Sequence, residues 1–193
     1  MLIPGVKNKL LIVDLEATCW EGNERGLHKM NEMETIEIGA VMVDLEDREN
    51  IREYDIFIRP VRNPILSEFC KNLTSISQGD VNNAEPFPVV FPGFLEWAGD
   101  RNNYTFASWS GYDKWQFEND CLYHKIEYPF TTHFDIKKYF ARAHNNQKMG
   151  LGRAVKKSGL EFEGTHHRGI DDARNIWYVL KKIIRDNDQL SLF

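Results

Sequence analysis

The chain has 193 residues, 42% of them hydrophobic, with seven prolines and a formal net charge of −5. That length and apolar content suit one domain with a substantial core and exclude a disordered or fibrous chain. An acidic balance argues against a nucleic-acid partner only if the charge is evenly spread.

It is not. Between Asp14 and Asp55 thirteen acidic residues stand against four basic ones, a net of −9. Residues 136–160 hold no Asp or Glu but seven cations: Lys137, Lys138, Arg142, Lys148, Arg153, Lys156 and Lys157. Such a segment suits a phosphate backbone, and equally a solvated helix face. The first apolar run is short and broken by Asp14, unlike a signal peptide, and no apolar run reaches membrane-spanning length. Cys19, Cys70 and Cys121, odd in number and widely spaced, predict reduced thiols and a cytoplasmic protein, with no close Cys/His set for structural zinc.

In chain order, Leu10-Leu11-Ile12-Val13 reads as a strand buried on both faces and leads into Asp14-Leu15-Glu16-Ala17-Thr18-Cys19-Trp20. Alternation along a strand puts Asp14 and Glu16 on one side and Leu15 on the other. Two carboxylates there repel each other and lose hydration, and a hard divalent cation between them relieves both costs. An isolated D-x-E is also an ordinary strand end, so further carboxylates are required downstream.

Residues 21–33 predict a long loop, and 36–43 and 54–58 the second and third strands. Pro60 and Pro64 end the extended region, and 66–73 reads as a short helix capped by Ser67. A helix over 89–97, a strand over 104–108 and a helix over 112–124 follow. The basic segment predicts two helices divided by Asn145-Asn146, the second over 151–157. The last helix, over 170–185, carries Ile170, Ala173, Ile176, Trp177, Leu180 and Ile183 on one stripe and is expected to fray beyond. The order predicts an α/β domain with a mixed sheet, residues 1–188, and a tail peptide, residues 189–193.

Two later stretches carry the required carboxylates. In Ser108-Trp109-Ser110-Gly111-Tyr112-Asp113, Asp113 opens a helix, where capping alone would account for it. In His166-His167-Arg168-Gly169-Ile170-Asp171-Asp172, a helix N-terminus accounts for Asp171. Asp172 lies four residues before Ile176 and turns inward, where a carboxylate needs a partner.

DLEATC, SWSGYD and HHRGIDDARN resemble the three motifs of the DEDDh 3′–5′ exonuclease superfamily, the RNase T and polymerase III epsilon type. Residues 34–39 (ETIEIG), 66–81 (LSEFCKNLTSISQGDV) and 159–175 resemble its enhanced-RNAi and histone-mRNA branch most. Ser110 and Ser75 depart from it, standing where glycine is usual. The resemblance implies an RNase H-like mixed five-stranded sheet flanked by helices. It implies an enzyme that hydrolyses single-stranded RNA or DNA from 3′ ends to nucleoside 5′-monophosphates. Asp14, Glu16, Asp113 and Asp172 would hold two divalent cations, Mg²⁺ or Mn²⁺, and His167 would be the general base. Thr18, Trp20, Phe69, Leu73 and Tyr112 are the candidates for substrate contact, with Trp109 read as core. The alternative is an inactive nucleic-acid-binding module of the same fold. Gln189, Leu190, Leu192 and Phe193 resemble a peptide that binds the bacterial sliding clamp, or else cover the domain's own surface.

Overall fold

The structure, a computed structural model, describes residues 3–21, 30–145 and 147–190, with the side chains of 189 and 190 outside that description. Five strands, β1 (Lys9–Ala17), β2 (Thr35–Asp44), β3 (Ile51–Phe57), β4 (Tyr104–Ser108) and β5 (His133–Asp135), form one sheet in the order β3-β2-β1-β4-β5. The β1–β2 and β2–β3 pairs are antiparallel, and β1–β4 and β4–β5 are parallel.

Period-2 alternation divides the core between the two faces of this sheet. Leu11, Val13 and Leu15 of β1 pack with Ile38, Ala40 and Met42 of β2 against α3 (Phe87–Ala98) and α4 (Tyr112–His124). Leu10 and Ile12 face the other way with Val41 and Val43. There they meet α5 (Ile136–Ala143), α6 (Leu151–Lys157) and α7 (Gly169–Leu190). Asp14 and Glu16 continue the Leu10–Ile12 face, so the strand delivers both carboxylates beneath the start of α7.

α7 approaches that closely because of one residue. Gly39 lies opposite Asp14, and a Cβ there would stand 1.9 Å from the carbonyl carbon of Gly169. Any side chain at 39 would push the helix, and Asp172 with it, away from the sheet.

Three elements go beyond the sequence expectation, one of them a single 3-10 turn, Met30–Glu32, in the stretch expected to be a loop. β5 has three residues, too short for a periodic signal. α2 (Gln78–Asn82) follows α1 (Glu68–Thr74) and starts in a capping box between Ser77 and Asp80. Ser67 caps α1 as expected, accepting from Cys70 N at 3.0 Å. α7 does not fray at Arg185 but continues to Leu190. Its last turns are tied to the β2–β3 loop by Lys181 and Arg185 on Glu49 (2.6 and 2.8 Å) and by Arg48 on Asp188 (2.8 Å). Among the described residues no helix is long and apolar enough to cross a membrane.

Candidate active site

The site forms where β1 outruns its parallel neighbour. Pairing with β4 stops at Ile12–Ala107, while β1 continues to Ala17. Strand ends of this kind open the crevice in which α/β sheets bind ligands. The freed N–H of Leu15 donates to Asp113 Oδ1 at 3.1 Å, so Asp113, in the first turn of α4, reaches under the sheet.

From the opposite side, the loop before α7 separates two neighbouring aspartates. Asp171 turns back onto its own loop, accepting from Thr165 N and Arg174 at 2.8 Å each. Asp172 points inward, 5% exposed; its Oδ2 accepts from His167 N at 3.0 Å, while Oδ1 is buried with no hydrogen-bond partner. His166 Nδ1 lies 3.4 Å from that oxygen, a contact misaligned for a hydrogen bond. His167 holds a left-handed backbone (φ 62°), rare for a residue with a side chain and found preferentially at functional sites. Its imidazole remains exposed, and one ligand atom each from Glu16, His167 and Asp172 fall within 4.8 Å of one another.

Electrostatically this is a cluster of unwilling anions. Burial, then the charges of Asp113, Asp172, Glu16 and Glu37, hold Asp14 well above the usual carboxylate range. Burial, then Asp172 and Glu37, do the same to Glu16. Burial lifts Asp113 and Asp172 to about 6, less far because hydrogen bonds from Leu15 and Ser108, and from His167, favour their ionised forms. An orphaned buried oxygen among hard donors that repel one another fits a divalent cation.

The cleft has a volume of about 540 Å³. It gathers Asp14, Glu16, Asp113, Asp172 and His167, with Leu73 and Tyr112 on its walls. Tyr112's phenol is pushed up by burial and stays protonated. Trp109 is core, at 7% exposure against Phe140, with an edge at the cleft. Three substrate candidates stand elsewhere. Thr18 is buried and its hydroxyl accepts from Glu34 N at 3.0 Å, while half-buried Trp20 and Phe69 lie outside the cleft lining. Gln189 and Leu190 extend the α7 backbone; Leu192 and Phe193 lie outside the described residues.

A buried residue beside the cleft escaped the sequence reading. Glu37 is fully buried directly opposite Glu16 in the β1–β2 register, where like charges destabilise a sheet. Arg168 grips it through Nε and Nη2 (3.1 and 3.0 Å), and Gly169 N donates at 3.0 Å. Arg168 also lies 5.1 Å over the Phe57 ring. This clamp fixes the residues between the catalytic imidazole candidate and Asp172. The signal was available: an acidic residue amid the apolar β2 pattern, with an arginine directly after the histidine pair of the third motif.

The sheet order and the acidic cleft define an α/β protein of the RNase H-like class whose site suits divalent metal. The chain belongs to the exonuclease family RNase_T, whose model matches residues 11–180. It is 30% identical over 200 residues to ERI1 exoribonuclease 2 of Mus musculus, a match covering 92% of this chain and 28% of that protein. The chain therefore spans little more than a quarter of that relative. It is also 30% identical to the 3′–5′ exonuclease eri1 of Schizosaccharomyces pombe, covering 92% of this chain and 68% of that one. The solved nuclease domain of 3′hExo, a DEDDh family member bound to rAMP, matches with a TM-score of 0.85 at 26% identity and 93% coverage of each chain.

Proposed function

We propose that this chain is a metal-dependent 3′–5′ exonuclease that removes nucleoside 5′-monophosphates from single-stranded ends, RNA foremost. The observation that carries this reading is the orphaned Oδ1 of Asp172 within a cleft shared with Asp14, Glu16, Asp113 and His167. The names of the relatives, exoribonucleases and a 3′–5′ exonuclease, support the polarity and the RNA preference. The exonuclease unit is residues 1–188, acting in the reducing conditions that its three free thiols suit.

Asp14, Glu16, Asp113 and Asp172 would hold two Mg²⁺ or Mn²⁺ ions. Bound there, the ions supply positive charge for the attacking and leaving oxygens of an in-line displacement. His167 takes the proton of the attacking water at its imidazole, which is exposed to solvent. Its backbone bond to Asp172 holds that imidazole beside the carboxylates. Leu73 and Tyr112 provide the apolar wall and ring against which a terminal base packs.

Digestion of end-labelled RNA and DNA strands with Mg²⁺, Mn²⁺ or EDTA tests this. A ladder shortening from the 3′ end with metal, and none in EDTA, is expected, with RNA the faster substrate. Retention of the strand without cleavage would instead identify an inactive binding module. The clamp-binding reading of Gln189, Leu190, Leu192 and Phe193 rests on the peptide pattern alone. The helical backbone at Gln189 and Leu190 weighs against it; deletion of the last five residues with no change in clamp capture would end it.

A further inference from the structure

The cleft's charge poses a problem for its substrate. Its described lining includes Asp14, Glu16, Asp113 and Asp172 and a single standing cation, Arg153. Metal can neutralise the carboxylates and the phosphate being cleaved, but the strand brings further phosphates. Arg153 is exposed, and its side chain makes no hydrogen bond or ion pair among the described residues. Its place is nevertheless fixed. On α6, Leu151, Ala154 and Val155 are buried in the core, and Arg153, Lys156 and Lys157 project from the solvent side. Gly152 packs directly on His166, where a Cβ would lie 2.4 Å from Nε2. The backbone of Arg153 is thereby held beside the imidazole pair.

We propose that Arg153 binds a backbone phosphate adjacent to the scissile one, with Lys156 continuing the track away from the cleft. The proposal rests on the exonuclease reading of the same site. A guanidinium suits it, since its planar fork grips two phosphate oxygens at once. It also explains how an acidic protein admits a polyanion: the positive charge of residues 136–160 meets the cleft through this side chain.

The test measures binding of a fluorescent single-stranded RNA decamer to Asp14→Ala protein, which cannot digest it, with and without Arg153→Gln, across a salt series with Mg²⁺. Arg153→Gln should weaken binding roughly tenfold, the usual scale for a charged hydrogen bond. It should also lower the slope of log affinity against log salt by about 0.7, one phosphate's worth on a single strand. Arg153→Lys should keep the slope and recover only part of the affinity. In otherwise wild-type protein Arg153→Gln should raise KM and leave kcat unchanged. Binding of adenosine 5′-monophosphate, which lacks the neighbouring phosphate, should not move. An unchanged slope, or equal loss of mononucleotide binding, overturns the proposal while wild-type digestion leaves the exonuclease reading standing. A wild-type protein that neither binds nor digests the strand overturns both.

Discussion

Two groups of buried carboxylates lie within one β-strand's reach of each other, and their surroundings are opposite. Glu34 accepts from three successive backbone N–H groups, those of Val61, Arg62 and Asn63, at 2.7–3.0 Å. Asp120 accepts from Thr35 N, Thr35 Oγ1 and Gln116. Glu37 has Arg168 and Gly169. Asp14 and Glu16, by contrast, receive no hydrogen bond among the described residues; burial and like charge are all that act on them. Asp172 is satisfied on one oxygen only. Buried charge is tolerated when it is paired. The first group is therefore architecture, and the second has the donors and the unrelieved charge of a cation site.

Breaking the second group should abolish activity without harming the fold. Asp14→Ala is expected to reduce digestion to background. Because the substitution relieves repulsion, the metal-free melting temperature should stay level or rise. Mg²⁺ should stabilise the wild type and much less the variant. Equal metal stabilisation of both would erase the distinction between the groups.

His167→Ala should lower turnover about 10²–10⁴-fold, the range for a lost general base, with KM little changed. His166→Ala should cost clearly less in turnover, because its ring is committed to packing on Phe162 and Gly152. Reversed effects would exchange the roles of the two histidines.

Breaking the first group should instead show as instability. Arg168→Ala removes the partner of fully buried Glu37, and loss of one member of such a pair costs roughly 3–5 kcal/mol. That is an upper bound, since Glu37, already raised to about 7 by burial against the pull of Arg168 and Gly169, can take up a proton. Denaturant unfolding measures it. A variant as stable as wild type would show that the clamp is not structural.

Most of this contrast was legible in the sequence. Alternation at Asp14-Leu15-Glu16 put both carboxylates on one face, and the four-residue step to Ile176 turned Asp172 inward. Asp113 was ambiguous, because a first-turn aspartate caps helices for free, and only the gap between β1 and β4 shows what it reaches. Glu37 and Arg153 were not found as site residues. Their importance depends on which strand and helix ends meet, which local periodicity does not encode. The substrate candidates Thr18, Trp20 and Phe69 show the same limit: proximity in a motif does not place a side chain in the cleft.

The smallest expected effect is a pH dependence, and it tests the contrast without any substrate. An unfolded carboxyl titrates near 4, whereas burial and like charge hold Asp14 well above that, and Asp113 and Asp172 at about 6. Between those values the folded protein binds more protons than the unfolded one, so these groups make stability fall as pH rises. The histidines His124, His133 and His166, lowered by burial, act oppositely up to about 6.5, where an unfolded imidazole loses its proton. A wild-type melt alone therefore mixes the two. The difference between wild type and Asp14→Ala cancels the histidines. In EDTA the variant's advantage should be smallest near the unfolded carboxyl value of about 4 and should grow as pH rises, because burial and like charge hold folded Asp14 above that value. Each kcal/mol is worth on the order of 2–4 °C for a chain of this size. With Mg²⁺ at the higher pH the sign should reverse, because the cation stabilises only the protein that retains Asp14. An advantage in EDTA that is constant with pH would mean that Asp14 carries no strained charge in the folded protein.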